Sequence, residues 1–225
     1  MNLMLTTVKE GLTIGNFTIG PEMFYAWAVM LILVGLGLVG RRYLNRLEPN
    51  GKPPKFIIVC EQLLGFFDST VTTNPYRRVI GPMLATLFTY LLLVNTLSLW
   101  GLRPAAYDLS IALSLGLLTF IIMHTLSFRT YGFKGYFGQY MKPFGFMLPL
   151  NMISFATESV TISLRLFGNM VAGTVLAEVL RALITPLGYF IPGVALSFYL
   201  DIFSGTIQAL VFTMLTAILI SSRTE

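Results

Sequence analysis

Five long stretches of this chain carry almost no charge, each a candidate membrane span, and that pattern limits what the chain can fold into. The stretches are 24–40, 79–100, 109–128, 146–183 and 187–221. A soluble fold of 225 residues has to cover itself with polar groups. Here only 11% of residues are charged, against about 25% in a soluble domain. The mean hydropathy of +0.76 agrees. Lipid-facing surface removes the difficulty. The expectation is an all-α membrane protein forming one membrane domain over residues 1–225.

The first segment, 1–23, precedes the first span. It has no basic start followed by an apolar run and carries Lys9 and Glu10 instead, so it does not read as a cleavable leader. Pro21 suits a helix start. In 53–72 an apolar face alternates with Glu61 and Asp68. That predicts an amphipathic helix, either lying at the membrane interface or packed as a cap on the bundle. Asp108 reads as the N-cap of the third span. The Gly, Tyr and Phe-rich stretch with Arg129, Lys134 and Lys142 reads as a loop behind that span. The last two segments are each roughly 35 to 38 residues long where a perpendicular span needs about 20. Each is a helix with interfacial flanks or one long, strongly tilted helix, and Pro186, Gly188 and Pro192 turn the chain between them.

Charge sets the expected topology. Of the 15 Lys and Arg, eleven fall on one side: Arg41, Arg42, Arg46, Lys52, Lys55, Arg77, Arg78, Arg129, Lys134, Lys142 and Arg223. Lys9, Arg103 and Arg181 fall on the other, and Arg165 stays within an apolar run. The positive-inside rule puts the N-terminus outside and the C-terminus in the cytoplasm or its equivalent. A net charge of +5 spread this way argues for orientation and gives no reason to expect a nucleic-acid partner. The lone Cys60 and lone His124 exclude a disulfide framework and a multi-histidine metal site. His124, near the end of its span, reads as interfacial. HExxH, a Ser/His motif pair and a paired Asp motif are all missing, so no enzyme, cofactor or metal site is expected.

Charges left inside apolar runs are Glu158, Arg165, Glu178 and Asp201. One at the bilayer centre costs ~2.5–3.5 kcal/mol on insertion scales, so it persists for a function. On a helix, Glu158, Thr161, Arg165, Asn169 and Ala172 lie within ~40° of Arg165 and form a polar stripe. Thr174 and Glu178, one turn apart, form a second patch. On the last segment Asp201 and Gln208 are seven apart and share a face, with Gly205 leaving room for a close neighbour. The bland alternatives are an ion pair of Arg165 with Glu158 or Asp201, and snorkelling of Glu178 and Asp201 to the interface. An arginine also suits a specific task. It keeps its proton in nearly any setting and lowers the pKa of a carboxylate brought near it.

LRLFGNMVAG, 164–173, resembles the signature of subunit a of F-type ATP synthases. IQALVFTMLTAIL, 207–219, is similar to that family's last helix, with Gln208 in the expected place. PAAYDLSIALSLGLLTF, 104–120, resembles its third-span region, and 134–151 its loop leading to the hairpin. The resemblance implies last helices lying nearly parallel to the membrane as a tilted hairpin against a ring of c-subunit proteolipids. It implies a non-catalytic stator subunit that carries protons, with sodium as the alternative, coupling ion flow to rotation and ATP synthesis. An ion enters by one aqueous half-channel, neutralises a c-ring carboxylate, and leaves by a second half-channel after the ring turns. Arg165 stands between the two and displaces the ion from each arriving carboxylate. Asn169 and Gln208 flank it. The implied partners are the c-ring, the peripheral-stalk b subunits, the lipid bilayer and, indirectly, the F1 sector. The implied setting is a bacterial plasma membrane, or a mitochondrial inner membrane. Thr174 stands where many members have Glu, Asp201 where some have His, and Ser154 and Phe155 where many have an acid. Glu178 and Asp201 are candidates for a rearranged acid pair on the outer side, and Glu158 for the cytoplasmic acid. The competing class is a free-standing channel or transporter with an Arg gate, which the absence of a sequence repeat disfavours.

Overall fold

The computed structural model describes residues 12–14, 17–45, 55–71, 76–97, 108–140, 145–184 and 200–224. A two-stranded antiparallel ribbon opens the chain, β1 (Leu12–Ile14) against β2 (Phe17–Ile19), with Thr13 opposite Thr18. Helices α1 (Pro21–Leu44), α2 (Lys55–Thr70), α3 (Arg77–Thr96), α4 (Leu109–Tyr140) and α5 (Leu148–Ile184) follow. A π-helical turn, Leu200–Ser204, leads into α6 (Gly205–Thr224). Spans within α1, α3, α4 and the last helical segment are long and apolar enough to cross a membrane. The body is that of an all-α membrane protein. The turn expected at Pro186, Gly188 and Pro192, and Arg103 of the less basic side, lie outside the described residues.

Local chemistry accounts for the helix starts. Gly20 is extended before Pro21, whose missing N–H costs nothing at a first helical position. Asp108 caps α4: its carboxylate accepts the Ser110 N–H at 2.8 Å and its carbonyl accepts from Ile111 and Ala112. Inside the apolar helices, hydroxyls turn back to their own backbone. Thr89, Ser114 and Thr213 each donate to the carbonyl four residues earlier. This is how such helices hold polar groups without exposing them to lipid.

The stretch behind the third span is helical. α4 continues past Phe128 to Tyr140 and changes direction at Gly132, whose φ of +65° is open to glycine. Beyond that kink the ring of Tyr136 stacks on Phe128 with centroids 3.7 Å apart, and Phe137 packs edge-on to it. The aromatic composition that suggested a loop is what holds the helix down.

Three apolar clusters set the levels of the bundle. At one end Phe67 and Val71, at the close of α2, meet Ile80 and Leu84 of α3, Met123 of α4 and Ala217 and Ile220 of α6. Midway, Leu91, Ala112, Ile162, Leu166, Ala209 and Phe212 join α3, α4, α5 and α6. At the far end Ala26 and Val29 of α1 meet Val94 and Ile111. Helix α3 thus runs antiparallel to α4 and α6. The end carrying α2 also carries Arg77 and Arg78 at the start of α3. Helix α2 is packed onto the bundle by Phe67 while Phe56, Val59 and Phe66 stay exposed.

Candidate functional site

The polar stripe of α5 runs through the junction with α6. Arg165, Thr161 and Asn169 are exposed, and Glu158 is half-buried. Apolar side chains surround them: Val160 and Leu164 on α5, Ile207 and Leu210 on α6, all exposed. Behind the stripe lies Gln208, only 3% exposed. Its Oε1 accepts from Asn169 Nδ2 at 2.5 Å, across 39 residues of sequence. Gln208 Nε2 is buried with no hydrogen-bond partner among the described residues. As the helical count expected, Glu158, Thr161 and Arg165 lie along one side of α5 and line a common groove. The partner of Asn169 comes from α6, a contact the sequence reading did not specify.

Among the described residues the one ion pair joins Asp68 to Arg77, and Arg165 has none. Glu158 and Arg165 instead line the same groove of about 530 Å³. Ser154, Thr157 and Thr161 line it from α5, and Leu215 and Leu219 from α6. Thr161 and Thr157 turn their hydroxyl protons to the carbonyls of Thr157 and Ile153. Their oxygens keep acceptor capacity beside the groove. The groove extends from Arg165 toward the half of α6 that packs near Phe67, the same end as Arg77 and Arg78. Thr157 was missed in the sequence, although it continues the helical spacing of Ser154, Glu158 and Thr161.

Thr174, Glu178 and Asp201 sit on described backbone, the first two on α5 and Asp201 in the π-helical turn, but their side chains lie outside the described residues. One backbone fact does bear on Asp201. Asp201 stands inside the π-helical turn, so the seven residues from it to Gln208 do not make two regular α-helical turns. His124 is not at a helix end. Its Nδ1 donates to the Phe120 carbonyl at 2.9 Å and its ring lies 3.9 Å from that of Phe120, a structural setting within α4. A second residue escaped the sequence reading. Asn95, buried in the last turn of α3, donates from Nδ2 to the carbonyl of Gly205 at 3.1 Å. Gly205 does have its close neighbour: a methyl group there would lie 3.0 Å from Asn95 Cβ.

Comparison with known proteins follows this geometry closely. Residues 23–221 match the family described as ATP synthase A chain, which takes in the stripe, the groove and Gln208. A relative from Acidothermus cellulolyticus named ATP synthase subunit a is 31% identical over 83% of this chain and 70% of its own length. One of the same name from Enterococcus faecalis is 29% identical over 93% of this chain and 96% of its own length. A Propionigenium modestum protein named ATP synthase subunit a, sodium ion specific, is 32% identical over 91% and 74%. With a match spanning nearly all of the apolar helical body, the chain belongs to the ATP synthase A chain family, as a non-catalytic membrane subunit.

Proposed function

We propose that this chain is the ion-translocating stator subunit of a rotary ATP synthase, with Arg165 separating two aqueous half-channels that serve the carboxylates of a c-ring. The observation that carries the reading is the setting of Arg165. It lies without an ion pair among the described residues, exposed with Thr161 and Asn169 on an outward stripe flanked by apolar side chains. A guanidinium cannot escape its charge by losing a proton. Left facing hydrocarbon it is strongly disfavoured. A neighbouring carboxylate on a separate protein supplies the missing charge, and a ring of such carboxylates supplies it repeatedly. When each arrives, the fixed positive charge lowers its pKa and favours release of its bound ion.

Asn169, held by Gln208, presents a polar surface one turn from Arg165 and keeps the junction of α5 and α6 in register. The groove lined by Ser154, Thr157, Glu158 and Thr161 is the half-channel toward the cytoplasmic side, with Glu158 as its acid. Thr174, Glu178 and Asp201 belong to the half-channel toward the outer side. The orientation is N-terminus outside and C-terminus cytoplasmic in a bacterial plasma membrane, with α5 and α6 tilted around the ring. The b subunits of the peripheral stalk hold the subunit against rotation, and the F1 sector couples to it through them. The ion is a proton, or sodium as in the Propionigenium modestum relative's name. The carboxylate site of the c subunit makes that choice.

The test is ATP-driven ion pumping by the whole complex in sealed vesicles. Arg165→Ala abolishes pumping while the detached F1 head still hydrolyses ATP. Glu158→Gln slows pumping without reducing the amount of assembled complex. Pumping that survives Arg165→Ala overturns the reading, and a groove unaffected by Glu158→Gln is not the ion path.

A further inference from the structure

The π-helical turn Leu200–Ser204 interrupts regular α-helical geometry one turn before Gln208. A π turn has poorer geometry than the α-helix it interrupts and lasts only where its surroundings hold it. The turn packs against both α3 and α5, and two contacts from α3 fix the residue that follows it. Asn95 Nδ2 donates to the carbonyl of Gly205, the first residue of α6 after the turn. The backbone of Gly205 comes so near that a Cβ there would sit 3.0 Å from Asn95 Cβ. Both residues are buried. Gly205 and Gln208 lie one turn apart on α6, and Gln208 in turn accepts from Asn169 on the Arg165 stripe.

We propose that Asn95 is a positioning residue for ion translocation: it fixes where the α-helical register of α6 begins and so sets the height and rotation at which Gln208 meets Asn169 beside Arg165. The inference rests on the function proposed above. It assigns a role to a residue that touches neither the groove nor the outward face. The donor is what matters. An amide N–H aimed at a main-chain carbonyl anchors the backbone, whereas a merely polar residue on an ion path would serve as well with an acceptor.

Asn95→Asp and Asn95→Leu in the intact complex separate the two ideas, with ATP-driven pumping per ATP hydrolysed followed across pH. A carboxyl buried here is held neutral by desolvation at low pH and then carries an O–H that reaches the same carbonyl. Asn95→Asp therefore pumps nearly as wild type at low pH and fails as pH rises. Titrating the wild-type complex alongside removes the contributions of Glu22, Asp108 and Asp201. Asn95→Leu lowers coupling about tenfold at every pH, the order of one buried hydrogen bond. If Asn95→Leu does not assemble, the pH profile of Asn95→Asp still decides. Gain of pumping in Asn95→Asp with rising pH, or no added pH dependence at all, overturns the proposal. So does Asn95→Leu with normal coupling. Arg165→Ala is run beside them: if it pumps, the reading of the site has failed, and if it does not, these outcomes judge Asn95 alone.

Discussion

Helices α1 and α5 both turn a broad apolar surface outward, and they differ in the polar residues set into it. On α1 the exposed run includes Leu31, Ile32, Val34, Leu36, Leu38 and Val39. Among the described residues its buried apolar side chains lie near its start, where Ala26 and Val29 meet α3 and α4. Gly35, Gly37 and Gly40 have open space beside them. Nothing on this surface asks for more than hydrocarbon. On α5 the exposed Val160 and Leu164 flank Thr161, Arg165 and Asn169. Hydrocarbon cannot satisfy those three groups. Equal apolar exposure thus has two meanings, and the polar residues embedded in it tell them apart.

The sharpest way to break the contrast is to exchange the charges. Arg165→Leu on α5 should insert and assemble at least as well as wild type, yet lose coupled pumping to background. Val34→Arg on α1 should do the reverse. It meets an insertion cost of ~2.5–3.5 kcal/mol and lowers the amount of subunit in the membrane, while the molecules that assemble still pump. Quantitative blotting of membranes with pumping per complex reads both. Normal levels of Val34→Arg would mean that α1 faces water or a polar partner.

Truncation in the core comes next. Phe212 is fully buried where α3, α4, α5 and α6 meet. Phe212→Ala should destabilise the subunit by about 3–5 kcal/mol. Leu36→Ala on the α1 face should leave unfolding in detergent unchanged, since detergent covers that site in both states. A comparable loss from both would mean that α1 is packed against something in the purified complex.

Glycine offers a finer version of the same comparison. A methyl carbon at Gly116 would lie 1.8 Å from Ser163 Oγ and 2.8 Å from the Ser159 carbonyl oxygen. The hydroxyl can rotate away, but the carbonyl belongs to the α5 backbone. Gly116→Ala should therefore push α4 from α5 and cost about 1–3 kcal/mol. Gly35→Ala, with nothing near it, should be neutral or stabilise α1 by about 0.5–1 kcal/mol. Parallel unfolding curves give the sign of each, and stabilisation in both would show that the α4–α5 contact yields more easily than its geometry suggests.

These contrasts also mark what a sequence can disclose. The Arg165 stripe was legible because α5 is one long helix, so a period of 3.6 carries position to face without error from Glu158 to Asn169. Asp201 was not, because it stands inside a five-residue π-helical turn and a count made on α-helical geometry loses its phase there. Asn95 was invisible for another reason. Its importance lies in a contact with a residue 110 positions away, and a single Asn near the end of an apolar run looks like any interfacial residue. The end of α4 was misjudged because stacking of Phe128 on Tyr136 is a tertiary effect that overrides the loop-like composition around Gly132.

The smallest expected effect lies at the opposite end of the bundle from that contact, where α2 closes it. Arg77 hydrogen-bonds the Asp68 carboxylate, and this contact, more than the charge alone, holds the Asp68 pKa below its ordinary value. A carboxylate with a lowered folded pKa adds stability at pH above its unfolded value and loses it as pH falls through the folded one. Both side chains are well exposed, so water and salt screen the pair and its contribution is slight. The closer tie between α2 and α3 is steric, since Gly81 lets Asp68 approach to within van der Waals distance. Asp68→Asn should therefore flatten the acid limb of the stability profile without releasing α2, and added salt should mimic part of the change. Gly81→Leu should release α2 at every pH. If Asp68→Asn alone exposes Phe67 to a protease or to labelling, the ion pair and not the packing holds this helix to the bundle.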